Sequence, residues 1–200
     1  MRSLVEIIAI ETCTQNDIAV KLSAAQVIST TVGNFEQAAE EFVPHAEFTV
    51  NSLYRLASEC DELESQSIVL ETISLILSYL VGTGRDVTLG VANASVAPLP
   101  SIWDAGIGER VLIRRNVISI LVAIVSSVGP TCVEKLLQIA LPIIDTSLDP
   151  RTRTDHSFLA GETLLLWLTL LRFTESYSTV IGAVFPRLIG VLDIDFEHLR

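Results

Sequence analysis

Apolar residues recur at steps of three and four along most of this chain, and no stretch alternates strictly at a period of two. The first pattern is what one buried face of an α-helix requires, whereas the second would mark a half-buried strand. Ile18, Leu22, Ala25, Ile28 and Val32 form one such stripe. Val69, Ile73, Ile76 and Leu80 form another, with Glu71, Ser74 and Ser78 on a different face. A third runs through Ile113, Val117, Ile120, Leu121, Ile124 and Val128. Opposite it lie Ser119, Ala123, Ser126 and Ser127, small enough to let a neighbouring helix approach closely. Three apolar runs close on the same dipeptide, Val32-Gly33, Val81-Gly82 and Val128-Gly129, at intervals of 49 and 47 residues.

The elements follow from these stripes and their breakers. A helix over 4–12 reads as the tail of a preceding unit, and Asp17 is the candidate N-cap of a helix over 18–32 that Gly33 and Asn34 end. The next helix is expected over 35–57, kinked by Pro44, before a polar segment over 58–66. A helix over 67–81 follows; Gly82, Gly84 and Gly90 weaken helix over 82–96, and something helical resumes before Trp103. After a loop over 104–108, helices are expected over 109–128 and from Pro130 to about Leu148, with Pro142 inside the second. The polar loop over 149–156 is the best nicking site of the C-terminal half. Helices over 157–173 and 179–192, the latter containing Pro186, complete the pattern.

A fixed period in the range of about 40–50 residues, each unit made of two helices, is the signature of a HEAT or armadillo array. The fold class is therefore all-α: an α-solenoid of about four HEAT-type antiparallel helix pairs. The expected division is 1–16 for the end of a preceding repeat, then repeats over 17–60, 61–106, 107–150 and 151–200. Proline recurs in the second helix of each pair, as Pro44, Pro98 with Pro100, Pro142 and Pro186. A complete array carries polar faces on its end repeats. Leu4, Val5, Ile7, Ile8 and Ile10 are the opposite of a cap, so the chain reads as a segment of a longer superhelix.

Half of the residues are hydrophobic, which fits either a membrane protein or a stack whose helices have neighbours on two sides. The apolar runs over 117–128 and 164–171 fall short of the roughly 18 residues a membrane span needs, so insertion is not expected. The net charge is −11, from 24 acidic and 13 basic residues. Phosphate contacts require clustered Lys and Arg, so nucleic acid is a poor partner and basic proteins are better ones. Cys13, Cys60 and Cys132 are far apart and form no CxxC, which reads as small core residues in a reducing compartment. The apolar start is interrupted by Glu6 and lacks a clean cleavage site, so the protein is expected to be intracellular.

Catalytic chemistry is hard to build from these residues. His45, His156 and His198 fall in different repeats and share no metal-ligand spacing. Gly82-Thr83-Gly84 lacks the Lys-Ser/Thr of a phosphate loop, Asn93-Ala94-Ser95 is a sequon without a secretory signal, and no nucleophile motif is present. No enzyme activity and no cofactor are expected. Trp103, Trp167, Phe35, Phe42 and Phe48 are assigned to the core, where large aromatic side chains contribute most. One cluster is worth following: Glu36, Glu40, Glu41 and Glu47, then Glu59, Asp61, Glu62 and Glu64. Glu36 and Glu40 are one turn apart and share a helix face. A solvated face explains the cluster as well as a docking strip for a basic partner does.

The ordered series Glu59-Cys60-Asp61, Leu70, Ile73-Ser74, Gly82, Leu99-Pro100 and Ile102-Trp103 resembles the central repeats of the importin-eleven branch of the β-karyopherins. The likeness continues through Ile113-Arg114, Gly129, Leu141-Pro142-Ile143-Ile144, Ser147, Asp149, Phe158-Leu159 and Leu166-Trp167-Leu168 to Leu199-Arg200. Asn34-Phe35 and Phe42-Val43-Pro44 look similar too, so it covers the chain from about Asp17. The resemblance implies a nuclear transport receptor that binds protein cargo, Phe-Gly nucleoporins and Ran-GTP while shuttling between nucleus and cytoplasm. Ran-GTP would dock on repeats outside this chain. The second helices would line a concave side where acidic residues meet basic cargo, and slots between adjacent first helices would accept Phe side chains. A HEAT scaffold for another multiprotein assembly is the alternative.

Overall fold

Each apolar stripe becomes a helix with one face turned into a shared core. The computed structural model describes residues 2–9, 15–34, 40–80, 85–106, 110–149 and 153–174, together with 182, 185, 186 and 189. Among these described residues are nine helices of two turns or more and no strand: α1 (Arg2–Ala9), α2 (Gln15–Asn34), α3 (Ala46–Glu59), α4 (Leu63–Tyr79), α5 (Arg85–Val96), α6 (Leu99–Ala105), α7 (Val111–Val128), α8 (Pro130–Ser147) and α9 (Arg153–Phe173). A 3-10 turn, Val43–His45, leads into α3.

The helices stack in two rows. In the first row α4 lies on α2, α7 on α4 and α9 on α7; in the second α3 lies on α1 and α5 on α3. Cross-row contacts such as α3 with α4, and α8 with both α7 and α9, close the core between the rows. This is an all-α solenoid of antiparallel helix pairs, in which each unit buries its apolar face only against its neighbours. Ile28, Ile73, Ile76, Val117, Ile120, Leu121, Ile124, Leu166 and Leu170 are fully or almost fully buried along the first row.

Polar side chains pin the register of the stack. Asn116 Nδ2 of α7 donates to the Ser67 carbonyl at 3.2 Å and to Ser67 Oγ at 2.8 Å, both on α4 and 49 residues earlier. Arg115 Nε, the preceding residue, pairs with Glu162 Oε1 of α9 at 2.6 Å across 47 residues. The spacing of the Val-Gly dipeptides is thus the separation at which successive first-row helices touch. Gln66 also bridges units: its Nε2 donates to the Ala57 carbonyl and its Oε1 accepts from Arg110 Nη2, at 2.9 and 2.8 Å.

The dipeptides have a structural reason. A Cβ on Gly33, near the end of α2, would collide with the Tyr79 hydroxyl at the end of α4. Gly129, just beyond α7, lies against the ring of Phe173 at the end of α9. Helix ends of neighbouring units therefore meet through a glycine and an aromatic ring. Gly129 has φ +65° and ψ −150°, a conformation open essentially to glycine alone. The Val81-Gly82 dipeptide lies outside the described residues.

Several sequence expectations shift. Asp17 is inside the first turn of α2 and does not cap it, because the helix starts at Gln15. Pro44 bends no helix interior: it sits in the 3-10 turn, where a missing N–H is tolerated, and α3 begins two residues later. The polar linker over 58–66 shrinks to 60–62, since Ser58 and Glu59 finish α3 and α4 opens at Leu63. Gly90 does not prevent α5, and Asp104 and Ala105 belong to α6. The expected polar loop before the last long helix is cut short because α9 begins at Arg153. The helix expected over 179–192 lies outside the described residues, except for helical positions 182, 185, 186 and 189. Phe42 and Trp103 are core residues as expected, but Phe48 is 57% exposed; its place on α3 faces away from both rows. Trp167 is half-buried, and Phe35 lies outside the described residues.

Among the described residues one helix, Val111–Val128, is long and apolar enough to cross a membrane by length and composition, contrary to the shorter run read from the sequence. Here it is the central first-row helix, with neighbours α4, α5, α6, α8 and α9. Its Arg114 is buried, donates from Nε to the Trp103 carbonyl at 3.3 Å, and holds its guanidinium 4.6 Å from the centre of the Trp103 ring. A carbonyl acceptor and an aromatic face compensate for part of the desolvation of that charge.

Replacing Gly129 by Ala is expected to lower stability by about 1–3 kcal/mol, because the new side chain must occupy a glycine-only conformation. Gly161 is the control: it is exposed in α9, and a Cβ there would have no neighbour within 4 Å. At that position, alanine is expected to raise stability by about 0.5–1 kcal/mol. Urea unfolding of both variants reads the difference.

Candidate interaction surfaces

The acidic residues divide between the two ends of α3, which at 14 residues is roughly 20 Å long. Glu40 and Glu41 are exposed just before the 3-10 turn, and Glu47 is exposed in the first turn of α3. The Glu47 carboxylate leans over α5, so that a Cβ on Gly90 would come within 2.9 Å of its Oε2. At the other end, Asp61 and Glu62 are exposed in the loop to α4, and Glu64 is exposed in the first turn of α4. Glu62 also accepts from Ser65 Oγ at 3.2 Å. Glu36 lies outside the described residues.

Glu59 stands apart from the rest. Its Oε2 meets Lys21 Nζ of α2 at 3.3 Å, and its Oε1 meets Arg55 Nε at 3.6 Å. The Lys21 side chain is only 2% exposed and that of Glu59 25%, so this carboxylate neutralises an internal cation. Removing one member of a buried pair strands the other in a low-dielectric setting. Glu59 belongs to the packing of α2 on α3, a role its sequence neighbourhood of acids concealed. Asp61 and Glu62 instead rim a cleft of about 360 Å³ whose floor includes Ile18, Leu22 and Cys60.

Apolar exposure is concentrated on the first row, with Phe48 of α3 an exception on the second. Val20 and Val27 of α2, Leu75 of α4, Leu112 of α7, and Phe158, Leu165 and Leu168 of α9 are all exposed, and all lie on first-row helices. Between α4, α7 and α9 runs a groove of about 290 Å³, lined by Ser74, Ser78, Ile118, Ser119, Val122, Ala123, Ser126 and Leu165. The Arg115–Glu162 pair closes one edge. The small side chains opposite the α7 stripe leave this space: serine and alanine fill less of the gap between helices than the leucines around them. Those residues were legible in the sequence as a close-approach face, but the groove they form was not.

On the second row, two grooves flank the short helix α6. One, about 330 Å³, lies between α6 and α8 and is lined by Pro100, Trp103, Asp104, Gln138, Ile139, Pro142, Ile143 and Thr146. The other, about 260 Å³, lies between α3 and α6 and includes Tyr54, Ser58, Pro98, Ser101, Ile102 and Ala105. Tyr54 donates to the Ser95 carbonyl at 3.2 Å, and burial pushes its phenol well above the usual range. Among the described residues, no three or more His, Cys, Asp or Glu side chains come together as a metal site.

The fold and these surfaces define a class: a helical-repeat solenoid that presents grooves between its helices. Residues 115–200 match the family described as importin-11-like, TPR repeats. Importin-11 of Mus musculus and importin-11 of Homo sapiens are each 24% identical to the chain over 184 residues, covering 92% of this chain and 18% of the relative. No solved structure matches the chain. The importin-eleven likeness carried by the sequence is thus found again in both comparisons. Although the family is described by TPR repeats, contacts here recur at 47 and 49 residues, wider than the roughly 34 of a TPR unit and close to HEAT spacing.

Glu59→Gln is expected to destabilise the chain by about 1–3 kcal/mol, since it removes a charged partner of Lys21. Glu40→Gln, Glu41→Gln and Asp61→Gln, at exposed positions, are expected to stay within about 0.5 kcal/mol of the parent. Denaturant midpoints compared across the four variants separate a packing role from a surface one.

Proposed function

We propose that this chain is a span of a nuclear import receptor, one that binds protein cargo and nucleoporins and moves between cytoplasm and nucleus in a Ran-dependent cycle. The observation that carries the reading is the extent of the likeness to importin-11, through 184 residues of a two-row stack. The chain spans 18% of the length of those relatives, and in this reading Ran-GTP docks on repeats outside it, as the resemblance implies. Its own role is to join and present surfaces, with no catalytic step. The division into repeats over 17–60, 61–106, 107–150 and 151–200 is retained as the working description.

Two surfaces fit this role. The groove between α4, α7 and α9 has an apolar wall and small polar side chains, which suits a Phe ring followed by the bare backbone of glycine. The exposed acids at both ends of α3, namely Glu40, Glu41, Glu47, Asp61, Glu62 and Glu64, suit a basic cargo surface through steering and complementarity.

The test is binding of the folded chain to an immobilised Phe-Gly-repeat peptide and, in parallel, to a histone-like basic protein at two salt concentrations. Saturable Phe-Gly binding is expected, weakened at least about tenfold by Val122→Glu with helicity unchanged. Capture of the basic protein is expected to fall with salt. A folded chain that binds neither, or a Val122→Glu variant that binds Phe-Gly as the parent does, would refute the corresponding surface.

A further inference from the structure

We propose that the cleft between the starts of α2 and α4 is a pocket for one lysine side chain of a protein partner, its ammonium seated on Asp61, Glu62 and Ser65. This rests on the basic-partner reading and narrows it: of the exposed acids at the ends of α3, two form a site and the others only steer.

Three pieces of chain build the cleft. Ile18, Ala19 and Leu22 come from the first turns of α2, Cys60, Asp61 and Glu62 from the loop after α3, and Ser65 from the first turn of α4. Ile18 and Leu22 are half-buried against the core and Cys60 is buried, so the floor is apolar and anchored. The volume is about 360 Å³. A cube of that volume is about 7 Å on a side, less than the roughly 10 Å breadth of a helix with its side chains. The cleft therefore takes a side chain and not a helix.

The carboxylates on its rim are not occupied by the fold. Glu62 is the N-cap residue of α4 but makes no capping hydrogen bond; it accepts from Ser65 Oγ at 3.2 Å. Asp61 and Glu62 are exposed and form no ion pair among the described residues. Lys21, beside Leu22, and Arg55, one turn before Glu59, both turn to the Glu59 carboxylate instead, at 3.3 and 3.6 Å. Of the four grooves described above, this is the one with two carboxylates on its rim.

The donor count selects lysine. An ammonium group carries three N–H donors and no acceptor. The rim presents three acceptors: the two carboxylates and the Ser65 hydroxyl, which directs its proton to Glu62 and keeps its lone pairs. The four-carbon stem lies along Ile18, Ala19 and Leu22, burying its methylenes while the charged head stays at the rim. The flat guanidinium of arginine gains most from a stacked ring, and no aromatic side chain lines the cleft. A trimethylated lysine keeps its charge but has no N–H, and without an aromatic cage nothing replaces the lost hydrogen bonds.

The experiment measures binding of the whole chain to fluorescein-labelled Gly-Ser-Gly-Lys-Gly-Ser-Gly-Lys-Gly-Ser-Gly by anisotropy. Peptides with trimethyl-lysine or arginine at both lysine positions carry the same charge and serve as comparisons. The lysine peptide is expected to bind saturably, about tenfold tighter than the trimethylated form and tighter than the arginine form. That preference should vanish in the D61N/E62Q double variant. It should also vanish in A19L, which fills the cleft and leaves every acid in place, with helicity unchanged by circular dichroism. E40Q/E41Q should weaken all three peptides alike and keep the preference. Carbodiimide, which couples an amine to a carboxylate in contact with it, should join the peptide lysine mainly to Asp61 or Glu62. A substituted peptide that binds as tightly as the lysine form, an A19L variant that behaves as the parent, or coupling mainly at Glu40, Glu41 or Glu47 would overturn the pocket. Any of these beside salt-sensitive capture of the histone-like protein leaves the basic-partner reading standing. A folded chain that captures neither the lysine peptide nor that protein overturns both.

Discussion

The burial of α7 between α4 and α9 is the interaction on which the remaining structure depends. Ile113, Val117, Ile118, Ile120, Leu121, Ile124 and Val125 are inaccessible or nearly so, and they become buried only because a unit stands on either side. A helix this apolar would be a membrane candidate by itself. In the stack, its hydrophobic surface is matched by neighbours, and its two polar anchors, Asn116 toward α4 and Arg115 toward α9, set how far each neighbour slides. Hydrophobic contact is non-directional, so a pair of helices packed only through leucines and isoleucines has several registers of similar energy. Hydrogen bonds at fixed positions select one of them.

The same constraint explains where surface for partners arises. Where first-row helices approach through serine and alanine, the gap beneath is shallow and open; on the second row, grooves flank the short helix α6, which Pro98 and Pro100 set off from α5. Small residues on the first row and prolines on the second thus line the grooves of this protein. Charge is distributed around them: acids gather at the two ends of α3, and Asp104 stands at the rim beside Trp103. The likeness to importin-11 gives these surfaces a biological setting, while their chemistry stands on the residues themselves.

Glycine acts here at helix ends. Gly33 gives room to Tyr79, and Gly129 turns the chain in a conformation closed to other residues while touching Phe173. Both contacts join the end of one unit to the end of the next.

Helical class, repeat spacing and the buried stripes are legible in the sequence, because periodicity at 3.6 residues and a recurring dipeptide depend only on local order along the chain. The importin-eleven likeness is legible for the same reason, as an ordered series of residues. Tertiary structure decides the rest. Glu59 reads as one more surface acid in the sequence; only the fold buries Lys21, far off along the chain, against it. Phe48 has apolar neighbours that suggest core, yet it lies on the outer face of α3. Pro44 reads as helix interior, although the chain enters α3 only after it. The grooves beside α6 and across α4, α7 and α9 are invisible to sequence reasoning, because each is made of residues from different units. A pattern along one chain states which face of a helix is apolar; only the packing of several helices states which part of that face is left uncovered.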